Sequence, residues 1–486
     1  MNAEESTSVV VVGGGPTGMM LAGELRLAGV DVVLLERIGT LHEHTHSMGL
    51  HPRAAEALDQ RGLMDRFGGP LPKWPRLHFG LIWLDVEKVG EDEYTLASPD
   101  WRAEEILEER AVELGADVRR GHRATSLRQD GSGVTLGVSC ADGDYEIRCS
   151  YLVGCDGPDS PVREMAGFDV TESTLSYYGV FGDFKVAAGE SPEFDTGLYA
   201  DGMTSVLPFG DGLIRVMSVE FDRRPPAADV PLSKDELLAS LRRASGEEPE
   251  LGEPERLFRY GGPTRHADGY RKGRVFLAGE AAHAHFVHAA HGKSTGIHDA
   301  LNLAWKLGAE LNGWAPPGLL DSYDAERRPV GDRACLHGEA QLAVFRSGRT
   351  TSALRELMAE LIRYDEVNRQ LITQVTDVRY PLGSDAAPHP LVGARVPNTL
   401  LAVKDERPLA AGCGVLYDLS GSEPDQARVT GWADRVDVVA AEPHPGLDAA
   451  ALLVRPDGFV AWATPGDGVD TGLREALTRW FGEPTS

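Results

Sequence analysis

The sequence predicts an α/β protein built on a nucleotide-binding sheet, and three stretches carry that expectation. Residues 8–37 read strand, glycine turn, helix, strand; residues 168–269 read as alternating strands; residues from 385 onward read strand, helix and strand again, with a closing helix. At 486 residues the chain can bury roughly two to four separate cores. Its formal charge of −27 repels nucleic acid and anionic membrane surfaces at long range, so the expected partner is a small molecule. Composition leaves the oligomeric state open.

The N-terminal unit is the most informative. An apolar strand at 9–12 runs into Gly13-x-Gly15-x-x-Gly18 and a helix over 16–28 that opens with Pro16 and Thr17. In this spacing the first glycine permits a tight turn, the second lets backbone approach a pyrophosphate, and the third lets helix pack on strand. The pyrophosphate belongs on the helix N-terminus, where unpaired N–H groups and the macrodipole favour anions. Glu36 closes the second strand eighteen residues after Gly18, where a carboxylate accepts both ribose hydroxyls and repels a 2′-phosphate. That selects FAD or NAD over bound NADP.

Further along, a helix over 54–66 ends at Gly68-Gly69-Pro70, and 71–99 reads as short strands and loops carrying Trp74, Phe79, Trp83 and Tyr94. A charged helix over 103–114 ends at Gly115 and steps into a strand, and strands at 133–139 and 145–153 form a hairpin across Asp142-Gly143-Asp144. The sheet-rich insertion follows, with one helix near 233–244. A buried strand at 275–279 then leads into a long helix over 295–311, and 319–365 is helical and polar. Four prolines, Pro381, Pro388, Pro390 and Pro397, mark a boundary near 385. Five scattered cysteines without a C-x-x-C pair suggest neither a disulfide framework nor a zinc site. With no targeting or membrane-spanning pattern evident, the expected location is cytoplasmic.

Three separated stretches coincide: the N-terminal βαβ unit, Cys155-Asp156-Gly157-x-x-Ser160-x-x-Arg163, and Gly273-Arg-Val-Phe-Leu-Ala-Gly-Glu-Ala-Ala-His283. Together they resemble the group A FAD-dependent aromatic hydroxylases, the p-hydroxybenzoate hydroxylase fold family, and within it the bacterial polyketide hydroxylase branch. Gly49-Leu50-His51-Pro52-Arg53, Tyr323-Asp-Ala-Glu-Arg-Arg-Pro329 and Leu452-Leu-Val-Arg-Pro-Asp-Gly458 extend the likeness over nearly the whole chain. The resemblance implies a Rossmann-like FAD-binding domain (1–75, 101–167 and 270–345), an inserted β-sheet substrate domain (76–100 and 168–269), a helical linker (346–384) and a thioredoxin-like C-terminal domain (385–486). It also implies that Gly13, Gly15, Pro16, Thr17, Gly18, Glu36, Arg37 and Arg102 hold the ADP half of FAD. Asp156 and Gly157 belong to a motif shared between FAD and NAD(P)H; Gly279, Glu280, Gly292 and Ser294 attend the ribityl chain and flavin ring. The helix after 295 aims its N-terminus at that ring, favouring negative charge there.

The chain departs from the family pattern at the ring end of the cofactor. Glu280 stands where the family has Asp, Ala289 and Ala290 replace glycines, and both usual prolines are gone. His46 takes the place of a common arginine, which weakens the case for nicotinamide binding. Nine of the fifteen histidines gather in 42–51 and 283–298. Their spacings match no closed metal site, so no metal is expected, and His46, His288 and His291 are the candidate acid/base residues. Two functions follow from the resemblance. The first is an NAD(P)H- and O2-dependent hydroxylase acting on an aromatic or polyketide substrate through a flavin C4a-hydroperoxide. Its substrate wall comprises Trp74, Phe79, Trp83, Tyr178, Phe181, Met203 and Phe221. The second is a non-redox cyclase or isomerase in which FAD is structural.

Overall fold

The structure is a computed structural model that describes residues 5–41, 49–74, 77–90, 93–97, 100–186, 196–208, 212–226, 230, 232–289, 291–346, 349–376, 378–382, 389–401, 403, 407–421, 425–442, 444, 446–464 and 472–485. The central sheet runs Arg271–Lys272, Val275–Leu277, Gly143–Gly154, Glu5–Val12, Val32–Glu36 and Asp117–Arg120. Glu5–Val12 pairs in parallel on both sides, Val9 with Val32 and Val10 with Leu152. A parallel strand covered on both faces must be apolar throughout, and Val9, Val10 and Val11 are fully buried. Strands Arg123–Gln129 and Val134–Cys140 extend the sheet as an antiparallel meander from Gly143–Gly154.

The helices are α1 (Pro16–Leu27), α2 (Pro52–Gln60), α3 (Asp100–Glu113), α4 (Pro161–Met165), α5 (Lys234–Ser245), α6 (Gly292–Leu311), α7 (Asp321–Phe345), α8 (Arg349–Leu361), α9 (Asp365–Thr376) and α10 (Leu473–Phe481). Against the central sheet, α1 packs on both α3 and α6. None of the described helices is long and apolar enough to cross a membrane.

A second, six-stranded antiparallel sheet runs Gly197–Leu198, Gly202–Pro208, Leu213–Phe221, Val170–Lys185, Pro254–Ala267 and His283–Ala284. Its last strand comes from the cofactor loop, so this sheet is hydrogen-bonded directly to that loop. Side chains alternate across Val170–Lys185. Tyr178, Val180 and Phe184 pack under α5 with Leu237 and Leu241, whereas Tyr177 faces Met203, Val219, Phe286, Leu342 and Phe345. Within the sheet Arg215 and Asp183 form a fully buried two-point ion pair at 2.7 and 3.0 Å.

Two segments pair differently from the expected domain layout. The hairpin Leu77–Phe79/Ile82–Leu84 joins neither large sheet; Phe79, Leu84 and Val86 pack on Val344 of α7, Ile362, and Ile372 of α9. Thr95–Ala97 pairs instead with Gly49–Leu50 and Lys73–Trp74. The segment expected as a linker therefore includes α8 and α9, which supply part of the hairpin's packing surface. Short strands announce their existence in sequence but not their partners.

The C-terminal sheet runs Val436–Ala440, Gly414–Asp418, Ala451–Val454, Val460–Thr464, with the first pair parallel and the others antiparallel, the order of a thioredoxin-like sheet. It is tied to the rest by a buried polar network. Arg455 donates to Glu326 of α7 at 2.9 and 2.8 Å, and Glu326 also accepts from Lys306 of α6 at 2.9 Å. Arg61 pairs with Glu24 and donates to the Leu409 and Pro456 carbonyls.

Candidate functional site

The glycine turn after Glu5–Val12 fits its three assigned tasks one by one. Gly13 has φ +111°, where a side chain would drive into the Cys155 carbonyl; a Cβ on Gly18 would collide with the Gly13 carbonyl oxygen. Gly15 faces open space, with nothing within 4 Å of where its Cβ would be. It is the N-cap of α1, and no side chain caps that helix start, so its first amides are left for a ligand. Pro16 occupies the first turn, and Thr17 presses on Gly279 and Gly296, bringing α1, the 279 turn and α6 together. Glu36 ends its strand beside the loop and accepts from Gly14 N at 2.6 Å and Ile38 N at 2.8 Å. Arg37 lies exposed just beyond.

Other expected cofactor residues have local duties. Arg102 donates to the Arg66 carbonyl at 2.7 Å and to Glu105 at 2.5 Å. The Asp156 carboxyl accepts from the Ser160 hydroxyl and the Val162 amide, capping α4, and burial raises its pKa; Gly157 takes φ +86° beside it. Gly279 turns with φ +62° and donates its N–H to Asp299 at 2.9 Å. Glu280 is exposed and reaches over the start of α6, its Oε1 3.6 Å from where a Cβ on Gly292 would sit. Ser294, in the first turn of α6, accepts from His51 N at 3.1 Å. The N-cap residue of that helix, His291, makes no capping hydrogen bond with its own side chain. The open Gly15 face at the start of α1, joined through Thr17 to the 279 turn and α6, forms a donor set that suits the phosphates and ring edge of a flavin dinucleotide.

Sequence reading missed the residue that organises this region. Asp299, fully buried on α6, accepts from Gly279 N, from His283 Nε2 at 2.7 Å and from Arg327 Nε at 2.6 Å. Burial would raise its pKa, but Arg327 and His283 outweigh that and hold it down at about 2. Arg327 in turn donates to the Tyr380 hydroxyl at 2.9 Å. Gly279, His283 and Arg327 each belong to a family-like stretch of the sequence, but only the fold gathers them around Asp299, which no local pattern signalled.

Against Phe286 and Val287, just after the 279–284 turn, lies an apolar wall. Met203 and Phe221 belong to it, beside Tyr177, Tyr260, Phe286 and Phe345. Phe181 packs between Phe258, Tyr260 and the Arg215 guanidinium. Tyr178 requires correction: strand alternation turns it to the opposite face, under α5. Phe79 also belongs to a core, beneath its hairpin and edge-on to His337 at 5.1 Å. Trp83 is half-exposed on an outer groove of about 820 Å³ lined by Leu81, Ile82 and Arg355. The Trp74 side chain, His46 and Ala290 lie outside the described residues.

Burial favours the neutral forms of His288 and His291. Tyr260 keeps its proton, since burial pushes its pKa up, and its hydroxyl shares a hydrogen bond with His288 Nε2 at 3.0 Å. Desolvation, with His78 nearby, pushes His288 down to about 3; His291 is lowered by burial and by the facing His337. The apolar surroundings make the charged forms of these two rings costly. Among the described residues no group of three or more His, Cys, Asp or Glu is arranged to hold a metal ion.

Comparison with known proteins agrees with this geometry. A family profile described as "FAD binding domain" matches residues 6–336, and one described as "Aromatic-ring hydroxylase, C-terminal" matches 389–484. An anhydrotetracycline monooxygenase of Streptomyces rimosus is 39% identical over 98% of this chain and 99% of its own. A dialkyldecalin synthase of Streptomyces rugosporus is 41% identical over 98% and 99%. The solved anhydrotetracycline hydroxylase structure from Streptomyces rimosus superposes with a TM-score of 0.88 at 38% identity, covering 99% of this chain and all of that one. With the cofactor cradle, the inserted sheet and the C-terminal module all matched, the chain belongs to the family of FAD-dependent aromatic-ring hydroxylases.

Proposed function

We propose that this FAD-dependent monooxygenase hydroxylates a polycyclic aromatic polyketide, consuming NAD(P)H and dioxygen. The observation that carries the reading is the open Gly15 face at the start of α1, joined through Thr17 to the 279 turn and α6, together with the apolar aromatic cluster packed on Phe286 and Val287 of the segment that follows that turn. In this reading Gly13, Gly15, Pro16, Thr17, Gly18 and Glu36 hold the adenylate and pyrophosphate, with Arg37 and Arg102 at the rim. Asp156 and Gly157 shape the adjoining turn, and Gly279, Glu280, Gly292 and Ser294 border the ribityl chain and ring. Bound FAD supplies hydride acceptance from the nicotinamide and activation of dioxygen.

The protein's own contribution is exclusion of water and positioning. Tyr177, Met203, Phe221, Phe286 and Phe345 present apolar surface to a planar acceptor, while the neutral Tyr260–His288 pair offers a hydrogen-bonding edge without a buried charge. The test is aerobic turnover of anhydrotetracycline as probe substrate with NADH or NADPH, followed by mass spectrometry. A product one oxygen heavier that requires both reductant and oxygen supports the reading; its absence across a panel of polycyclic phenols overturns it.

A second reading has a specific support. The 41% identical relative is named a synthase, and Glu280 and Ala289 alter the loop beside the flavin ring. In that reading FAD is a structural wall, and cyclised product forms without nicotinamide or oxygen.

A further inference from the structure

Three side chains link the hairpin to the start of α6, and their hydrogen-bond directions can be worked out. Gln341 of α7 is buried, and its Oε1 accepts from Gly80 N at 3.0 Å. That bond orients the amide and leaves Nε2 as the donor toward His337 Nδ1 at 3.2 Å. His337 Nδ1 must then be unprotonated. The other group touching it, His291 Nε2 at 2.9 Å, must carry a proton. Each ring therefore bears its hydrogen on Nε2. Burial lowers both, His337 to about 4, so neither direction reverses at neutral pH.

The two ends of this chain lie in different parts of the site. His291 is the N-cap of α6. Gly80 is in the hairpin turn, where a Cβ would strike Val344, and its neighbour Leu81 packs against the apolar wall with φ +59°. We propose that Gln341 and His337 form a hydrogen-bonded strut that holds His291 in one tautomer and ties the acceptor-side hairpin to the helix start beneath the flavin, with His337 as a positioning residue. The flavin half of this statement rests on the cofactor placement above; the tautomer half does not.

The first experiment reads the tautomers directly, by side-chain 15N correlation spectra of the histidine-labelled chain with His291→Gln and His337→Asn for assignment. Both rings should be neutral with the proton on Nε2 from pH 6 to 8. A proton on Nδ1 of His337, or a charged ring, overturns the strut whether or not FAD is bound. The second uses geometry: Asn places Oδ1 where Nδ1 of His337 lies, while Gln reaches one bond too far. Holoenzyme carrying His337→Asn should keep its FAD dissociation constant within about threefold and its visible spectrum unchanged. His337→Gln should weaken FAD by about tenfold, as expected from leaving the His291 N–H unpaired. Equal behaviour of the two variants contradicts the strut. Failure of the unmodified chain to take up FAD contradicts the cofactor placement instead.

Discussion

At the scale of single residues, the glycine turn separates folding from binding. Gly15 has open space around its missing side chain, so Gly15→Val should fold with a Tm within a few degrees of the parent yet purify without flavin. Gly18→Ala should do the reverse damage, because its Cβ meets the Gly13 carbonyl; thermal unfolding and flavin content of the two variants check this. Full FAD occupancy in Gly15→Val would contradict the placement. The Gly18 constraint was legible in sequence because it depends on backbone a few residues away. The protonation states of His288 and His291 were not legible, since they are set by burial among residues from remote segments. Asp299 was invisible for the same reason: its partners Gly279, His283 and Arg327 come from another turn, another strand and another helix.

At the scale of elements, alternation along Val170–Lys185 decides what each residue can do. The sequence showed that a strand lay there, but not that Tyr177 faces the cofactor loop while Tyr178 packs under α5. The same strand carries Asp183 opposite Arg215, both fully buried. Arg215→Ala leaves a buried carboxylate without its partner and should destabilise the protein by about 3–5 kcal/mol, read from urea unfolding. Replacing both, Asp183→Leu with Arg215→Met, should cost much less, because no lone charge remains. A double variant as unstable as Arg215→Ala would show that the pair itself, not the orphaned charge, matters. The hairpin Leu77–Phe79/Ile82–Leu84 was legible as short strands with aromatic surface, while its packing on α7 and Ile372 of α9 was not.

At the scale of the whole molecule, buried histidines give the fold a particular pH response. Burial holds His78 and His337 near 4 and His285 and His288 near 3, against 6.5 when exposed. Between these values the unfolded chain binds more protons than the folded one, so stability is complete above about pH 6.5 and falls as pH drops below it. Each shifted ring accounts for about 2 kcal/mol between pH 6.5 and 5. The carboxylates Asp299 and Glu326, held low, add their losses only in more acid solution. Scanning calorimetry should therefore find Tm falling by several degrees from pH 7 to 5, and a flat profile would contradict the buried neutral cluster. The three-part layout was legible because the apolar periodicities are strong. The network of Arg455, Glu326 and Lys306 that joins α6 and α7 to the C-terminal sheet was not, since its members lie far apart in the chain. The central claim is that α1, α6 and the glycine turn seat an FAD that a nicotinamide can reduce. Its most direct measurement is the visible spectrum of purified holoenzyme under anaerobic conditions with excess NADH or NADPH, with and without a polycyclic phenol. Bleaching of the flavin bands that speeds up when the phenol is present is the expected result; a flavin that stays oxidised in every combination would contradict it.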